Sequence, residues 1–320
     1  MIENHNEFTN FLDLWQEIGL DRTRDSLFLF YHGRRWQKHE FEKTRGWQES
    51  QRIFLLDAEV LDNQILDCLE CDPRIYYFDS TIIDHPRFFT YLWWFDWVRE
   101  VEHYQNLTAR LIPPSLKNCD MMFDALTGTP RPHKIFVNEM IDSNPKKSNF
   151  LIGSRKEVCL KVPDDWVNGG DYHDGSNSPA FYGAQRANIG CFIPYEIYNQ
   201  TWYSIVAETR GSGAPVFTEK TARPLIARRL FVMFSTHRFL SNLRSLGFET
   251  FGDVIDESYD EITDDVDRWT AAWQQVEYLL GQDPRIIYEK IKPILEHNYY
   301  MIAQTNHRNS LVQTIKNLVN

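Results

Sequence analysis

YSIVAETRGSGAPVFTEKTARPLIARRLFVMFSTHRFLSNLRSLGFETF, residues 203–251, is the stretch on which the fold turns. Its run SIVAE does not alternate with polar residues; it ends in Glu208 and gives way to a turn carrying Gly211 and Gly213. Thr218-Glu219-Lys220-Thr221 then opens a helical pattern, and Leu230–Ser235 (LFVMFS) is a second continuous apolar run leading into another helix. A strand apolar on both faces must be covered on both faces, and strand–helix–strand order sets the two strands parallel. The segment reads as one crossover unit of a parallel α/β sheet.

Working outward, the same alternation fills the N-terminal part. Ser26–Tyr31 (SLFLFY), Arg52–Leu56 (RIFLL) and Arg74–Phe78 (RIYYF) read as strands ending at His32-Gly33, Asp57 and Asp79, with a helical period over Val60–Leu69 between the last two. Phe8, Phe11, Leu12, Trp15 and Ile18 lie at helical spacing, and Phe88–Tyr104 reads as an aromatic helix that is mostly core. Ile112-Pro113-Pro114 reads as a linker or a rigid crossing, with a domain boundary near 115–128. Downstream, 131–141 and 268–280 read as helices, 150–152 and 190–193 as short strands, and 163–188 as a long Gly/Asn/Asp/Ser-rich loop. The expectation is two Rossmann-like α/β domains facing a cleft, over 1–125 and 126–283, and a helical tail over 284–320 packing back on the first.

The chain has 320 residues, 42% of them hydrophobic and 14% aromatic, which excludes a disordered protein and allows two cores. No apolar stretch is long enough to span a bilayer, and the acidic N-terminus does not resemble a signal peptide. Five cysteines read as reduced thiols in a cytoplasmic protein; the lone Cys68-x-x-Cys71 pair lacks the second half of a metal site. The net charge of −11 hides a division. Residues 249–267 carry nine carboxylates and no Lys or Arg, whereas 220–244 carry six cations and no carboxylate. Such blocks usually form solvated helix faces.

The 203–251 segment also carries the clearest chemistry. The strand delivers Glu208 to its carboxyl end, where open α/β sheets bind ligands. Thr218 is suited to cap the next helix, whose free first-turn amides favour an anion, with Thr221 beside them and Lys220 adding a point charge. Glu219 is placed to accept the two hydroxyls of a ribose. Taken alone, Glu219 and Lys220 would serve equally as ordinary first-turn charges. Gly128-Thr129-Pro130-Arg131-Pro132-His133-Lys134 opens a second helix with a basic start, and Arg155-Lys156 is a weaker basic pair.

These motifs resemble the nucleotide-sugar-binding half of GT-B glycosyltransferases of the α-1,3-fucosyltransferase type, in which a strand ending in Phe-Glu-Asn precedes a Thr-Glu-Lys helix start. Thr218-Glu219-Lys220 matches the second motif, and Ala207-Glu208-Thr209 stands in place of the first. Together with EKT-x-x-P and LRSLGF-x-TF, the pattern is also similar to glycosyltransferase-like proteins of large tailed bacteriophages. The resemblance covers roughly residues 126–270. It implies a metal-independent enzyme that takes a nucleotide-diphosphate sugar as co-substrate and needs no other cofactor. Glu219 would bind the ribose and Lys220 the diphosphate, with Arg131 and Lys134, or alternatively His133, as further phosphate ligands and Glu208, Thr218 and Thr221 completing the site. The departure at Ala207 and Thr209 bears on the base and the sugar.

An inverting transfer needs a base for the acceptor hydroxyl, and the strand-end groups Asp79, Asp57 and His32 are the candidates. The acceptor is a glycan or, in a phage, a hydroxymethylated base of its DNA; Arg22, Arg24, Arg34, Arg35, Lys38, Lys43 and Arg45 would supply the basic groove for DNA. The other reading is a non-catalytic nucleotide-sugar-binding or assembly protein. Neither reading involves a membrane, and a phage origin would place the protein in the host cytoplasm.

Overall fold

The apolar runs become strands whose cores leave almost nothing exposed: Ile53–Leu56 in one sheet, Thr201–Ala207 and Phe231–Phe234 in another. The structure, a computed structural model, describes residues 2–4, 17–20, 24–29, 51–56, 62–152, 180–181, 185–186 and 191–319. It divides into two compact units, one of Met1–Asp96, Pro163–Ile189 and Asn306–Asn320, the other of Trp97–Val162 and Gly190–Thr305.

The first unit is built on β1 (Ile2–Asn4), β2 (Asp25–Leu29), β3 (Arg52–Leu56), β4 (Ile75–Asp79) and β5 (Phe88–Thr90), all parallel and in that spatial order. Helix Asp62–Cys71 joins β3 to β4 and buries Cys68 and Leu69 against Ile53, Leu55, Ile75 and Tyr77. Arg52 pairs with the buried Asp25 at 2.7 Å where β2 and β3 begin, and also donates to the Leu318 carbonyl of the terminal helix, His307–Val319. Arg87 donates to the carbonyls of Leu69, Asp72 and Ile75, so a cation closes the carboxyl end of the 62–71 helix.

Four sequence expectations change. Ile2–Asn4 pairs with β2 as a strand; of the positions read at helical spacing, Phe8, Phe11, Leu12 and Trp15 lie outside the described residues, and Ile18 is helical and buried. Phe88–Thr90 is an edge strand, because Phe88 and Phe89 stack across it on Tyr77 and Phe78; the helix begins only at Trp93. Cys191–Ile193 is buried but irregular, an apolar loop rather than a strand. The tail is two helices, Pro284–Gln304 and His307–Val319, with a break at 305–306.

The second unit holds β6 (Met121–Ala125), β7 (Phe150–Ile152), β10 (Thr201–Ala207) and β11 (Phe231–Phe234), parallel in the order β11-β10-β6-β7; the antiparallel pair β8 (Ala180–Phe181) and β9 (Gln185–Arg186), between β7 and β10 in sequence, belongs to the first unit. Helix Pro132–Ser143 connects β6 to β7 and helix Glu219–Ile226 connects β10 to β11. From β6 the chain therefore moves one way to β7 and returns on the other side at β10. Phe150, Phe123, Tyr203 and Tyr288 form a row of ring contacts across β7, β6 and β10 onto the 284–304 helix, with centroids 5.4–5.9 Å apart.

A buried ionic hub fixes the start of β10. Arg229 lies 2.7 Å from Asp124 on β6 and donates to the Thr201 hydroxyl, the Ser204 hydroxyl and the carbonyls of Tyr198, Thr201 and Tyr203. Lys117 donates to two of the same carbonyls, Tyr198 at 2.6 Å and Thr201 at 2.8 Å. Burial first, and the Arg229 charge second, bring its pKa down to about 7.

Six of the nine carboxylates of the acidic block are exposed, as a solvated face would be, and some of the block also caps helices. Asp260 accepts from the amides of Leu240 and Ser241 at the start of helix Phe239–Ser245, and Asp264 from those of Val266 and Asp267 at the start of helix Asp265–Leu279. Glu257 accepts from Phe251 N and the Thr250 hydroxyl. No helix among the described residues is long and apolar enough to cross a membrane, and Cys68, Cys71, Cys119 and Cys191 are free thiols.

Two expectations follow from the hub. Asp124→Ala strands Arg229 as an uncompensated buried charge and should cost about 3–5 kcal/mol in a urea melt. Lys117 has a folded pKa below its ordinary 10.5, so from about pH 7 upward the unfolded chain holds a proton that the folded chain lacks. Stability should climb over that window, and the climb should shrink in Lys117→Met when the two proteins are melted side by side.

Candidate functional site

Strand order places the site. The reversal between β6 and β10 is the topological switch point of the second sheet, and such points open a crevice beyond the strand carboxyl ends. The first sheet runs β1 to β5 with no reversal among the described residues. Two helix starts flank the crevice, at Arg131–Lys134 after β6 and at Thr218–Lys220 after β10.

Glu208, one residue beyond β10, organises the floor. It is fully buried; one oxygen accepts from Thr218 N at 2.9 Å and the Thr221 hydroxyl at 2.8 Å, the other from Thr209 N at 2.6 Å and the Thr218 hydroxyl at 2.5 Å. A carboxylate has about four acceptor positions, and these four bonds fill them. Glu208, Thr218 and Thr221, read from the sequence as ligand-binding groups, thus spend their polar atoms on one another. Thr218 caps its helix as expected, accepting from Lys220 N.

Four other expected residues form the rim. Lys220 Nζ reaches Glu219 at 2.7 Å, the Thr209 hydroxyl at 3.1 Å and the Thr218 hydroxyl at 3.3 Å. Burial pushes the Glu219 carboxyl up, but the charges of Lys220 and Arg223 and the Lys220 hydrogen bond outweigh it and hold the pKa at about 2. Arg131 donates to the Thr209 carbonyl. Lys134 is only 3% exposed, and its ammonium has no hydrogen-bond partner among the described residues. Burial first, then Lys220, bring its pKa down to about 8. Arg131, Lys134, Lys220 and Arg223 outnumber Glu208 and Glu219, so the crevice carries an excess of positive charge.

His133 serves the frame rather than a ligand. Its Nε2 lies 2.7 Å from the Glu208 carbonyl; a carbonyl only accepts, so Nε2 bears the hydrogen. Burial leads the causes that lower its pKa to about 4, which keeps the ring neutral. Gly211 packs against this ring and Trp269: a Cβ there would stand 2.5 Å from His133 Nδ1 and 2.9 Å from Trp269 Cζ2, so only glycine fits. Arg268 donates to the Gly211 and Ser235 carbonyls, Trp269 to Ser235, and the Ser235 hydroxyl to Arg210, which fastens the Gly-rich loop to the end of β11. Sequence reasoning missed Arg268 and Trp269; the available signal was a lone cation closing a carboxylate block.

Among the base candidates, Asp79 closes β4 and is fully buried, with Ser80 and Thr81 pinned beside it through bonds to and from Tyr91 and Thr90. Asp57 and His32 lie outside the described residues, as do Arg155, Lys156 and the basic cluster except Arg24, which donates to Gln51. Tyr91, Trp93, Trp94 and Phe95 are buried.

No protein-family model matches the chain, and no curated protein matches it. Among solved structures it is similar to the crystal structure of an α1,3-fucosyltransferase with GDP, at 9% identity and a TM-score of 0.39, over 92% of this chain and 96% of that one.

Because Glu208 joins strand, loop and helix start, Glu208→Gln should destabilise the protein by about 1–3 kcal/mol, since an NH2 donor replaces one of the two acceptor oxygens and faces N–H and O–H donors. Hydrogen exchange should locate the loosening at 209–221; unchanged protection there would contradict this role.

Proposed function

We propose that the protein is a glycosyltransferase that binds a nucleotide-diphosphate sugar at the β6/β10 switch point and transfers the sugar to an acceptor hydroxyl. The observation carrying this reading is the positive crevice itself: Arg131, Lys134 and Lys220 at two helix starts, with the low-pKa carboxylate of Glu219 beside them. Lys220, Arg131 and Lys134 bind the diphosphate, aided by the first-turn amides of the 219–226 helix, and Glu219 accepts from the ribose hydroxyls. The three protons of the Lys220 ammonium are already engaged by Glu219, Thr209 and Thr218, so a phosphate oxygen displaces one of these partners.

In the transfer, the bond from the anomeric carbon to the phosphate oxygen breaks as the acceptor oxygen bonds to that carbon. The acceptor proton passes to the base, for which we retain Asp79, Asp57 and His32. The leaving nucleoside diphosphate gathers negative charge, which the chain's own cations stabilise without a metal. Acceptors to be assayed are hydroxymethylated DNA and glycans.

The test is a thermal-shift screen with UDP, GDP, ADP, CMP and their sugar conjugates. One nucleoside diphosphate should raise the midpoint, since a ligand at about a hundred times its Kd adds roughly 2.7 kcal/mol to the folded state, and Lys220→Ala should abolish the rise. No shift with any nucleotide, or a shift undiminished in Lys220→Ala, removes the donor-site reading.

A further inference from the structure

Lys134 stands apart from the other cations of the crevice. Arg131 is tied to the Thr209 carbonyl, Lys220 to Glu219 and two hydroxyls, and Arg223 to the Glu219 carbonyl. Lys134 is almost wholly buried, yet its amine has no such anchor among the described residues. A largely buried ammonium without a hydrogen-bond acceptor, and with another cation as its strongest charged neighbour, is costly, and such a group lowers its cost by giving up its proton.

We propose that Lys134 is a proton-coupled ligand of the diphosphate, its amine taking up a proton as the anion enters the crevice and thereby making donor affinity depend on pH. This rests on the donor-site reading above.

The charges facing the amine come from three elements. Lys220 and Glu219 belong to the 219–226 helix, Glu208 to the end of β10, and Arg131 to the start of the amine's own helix. Lys220 is the dominant neighbour and opposes protonation; an arriving diphosphate reverses that balance. With the free-protein pKa near 8, the amine is mostly discharged at pH 9 and mostly charged at pH 7. Affinity should therefore weaken by about tenfold from pH 7 to pH 9.

Titration calorimetry on the full chain reads the proton directly. GDP, UDP and ADP are titrated near pH 8.5, where their phosphates no longer titrate, in Tris and in Bicine, whose ionisation heats differ. The expected result is uptake of roughly half a proton or more per nucleotide bound. Uptake should vanish in Lys134→Met, which keeps the stem and should bind about tenfold more weakly, and in Lys134→Arg, which stays charged and should bind with little pH dependence. Binding without proton uptake, or the same uptake in Lys134→Met, overturns the inference and leaves the donor site standing. Failure of all three nucleotides to bind the unsubstituted protein overturns both.

Discussion

Everything at the crevice depends on one carboxylate being spent internally. Glu208 gathers an amide and a hydroxyl from Thr218, a hydroxyl from Thr221 and the amide of Thr209, closing the connection from β10 to the next helix onto itself. Its carbonyl then takes the hydrogen of His133, bringing the helix that follows β6 to the same point. Two crossover connections, remote in sequence, are thus joined through the two ends of a single residue. The cations on the rim inherit their positions from that joint.

The opposite end of β10 is held by a different kind of bond. Arg229 and Asp124 form a buried ion pair there, and Lys117 shares two of the carbonyls that Arg229 uses. The fully buried strand is therefore anchored by charge near its beginning and by a saturated carboxylate at its end. The row of aromatic rings across the sheet fills the space between. At the first end Arg229 is spent on its acceptors, whereas at the other Lys134 has no hydrogen-bond acceptor among the described residues.

The sequence made the β10–helix–β11 unit legible because its signals are local: continuous apolar runs, a glycine turn and a capping threonine within about thirty residues. The placement of Arg131, Lys134, Glu219 and Lys220 at helix starts is legible for the same reason. The reversal of strand order was not readable, since it rests on β6 pairing with β10 across some eighty residues. Nor could the sequence show that Glu208, Thr218 and Thr221 face one another. A residue type suited to a ligand is equally suited to a neighbour, and only burial separates the two. Asp260 teaches the same lesson: within a block of mostly exposed carboxylates it is buried and caps a helix.

Gly211 has a consequence for the binding proposed at this crevice. With no side chain to lift it, the loop lies directly on His133 and Trp269, and Arg268 holds its carbonyl. The loop's path is therefore set when the chain folds, before any anion arrives. A flexible glycine loop would have to be ordered by its ligand, at a loss of affinity for every residue immobilised. Here glycine has the opposite effect from the one its conformational freedom suggests: its smallness permits a contact that makes the site preorganised.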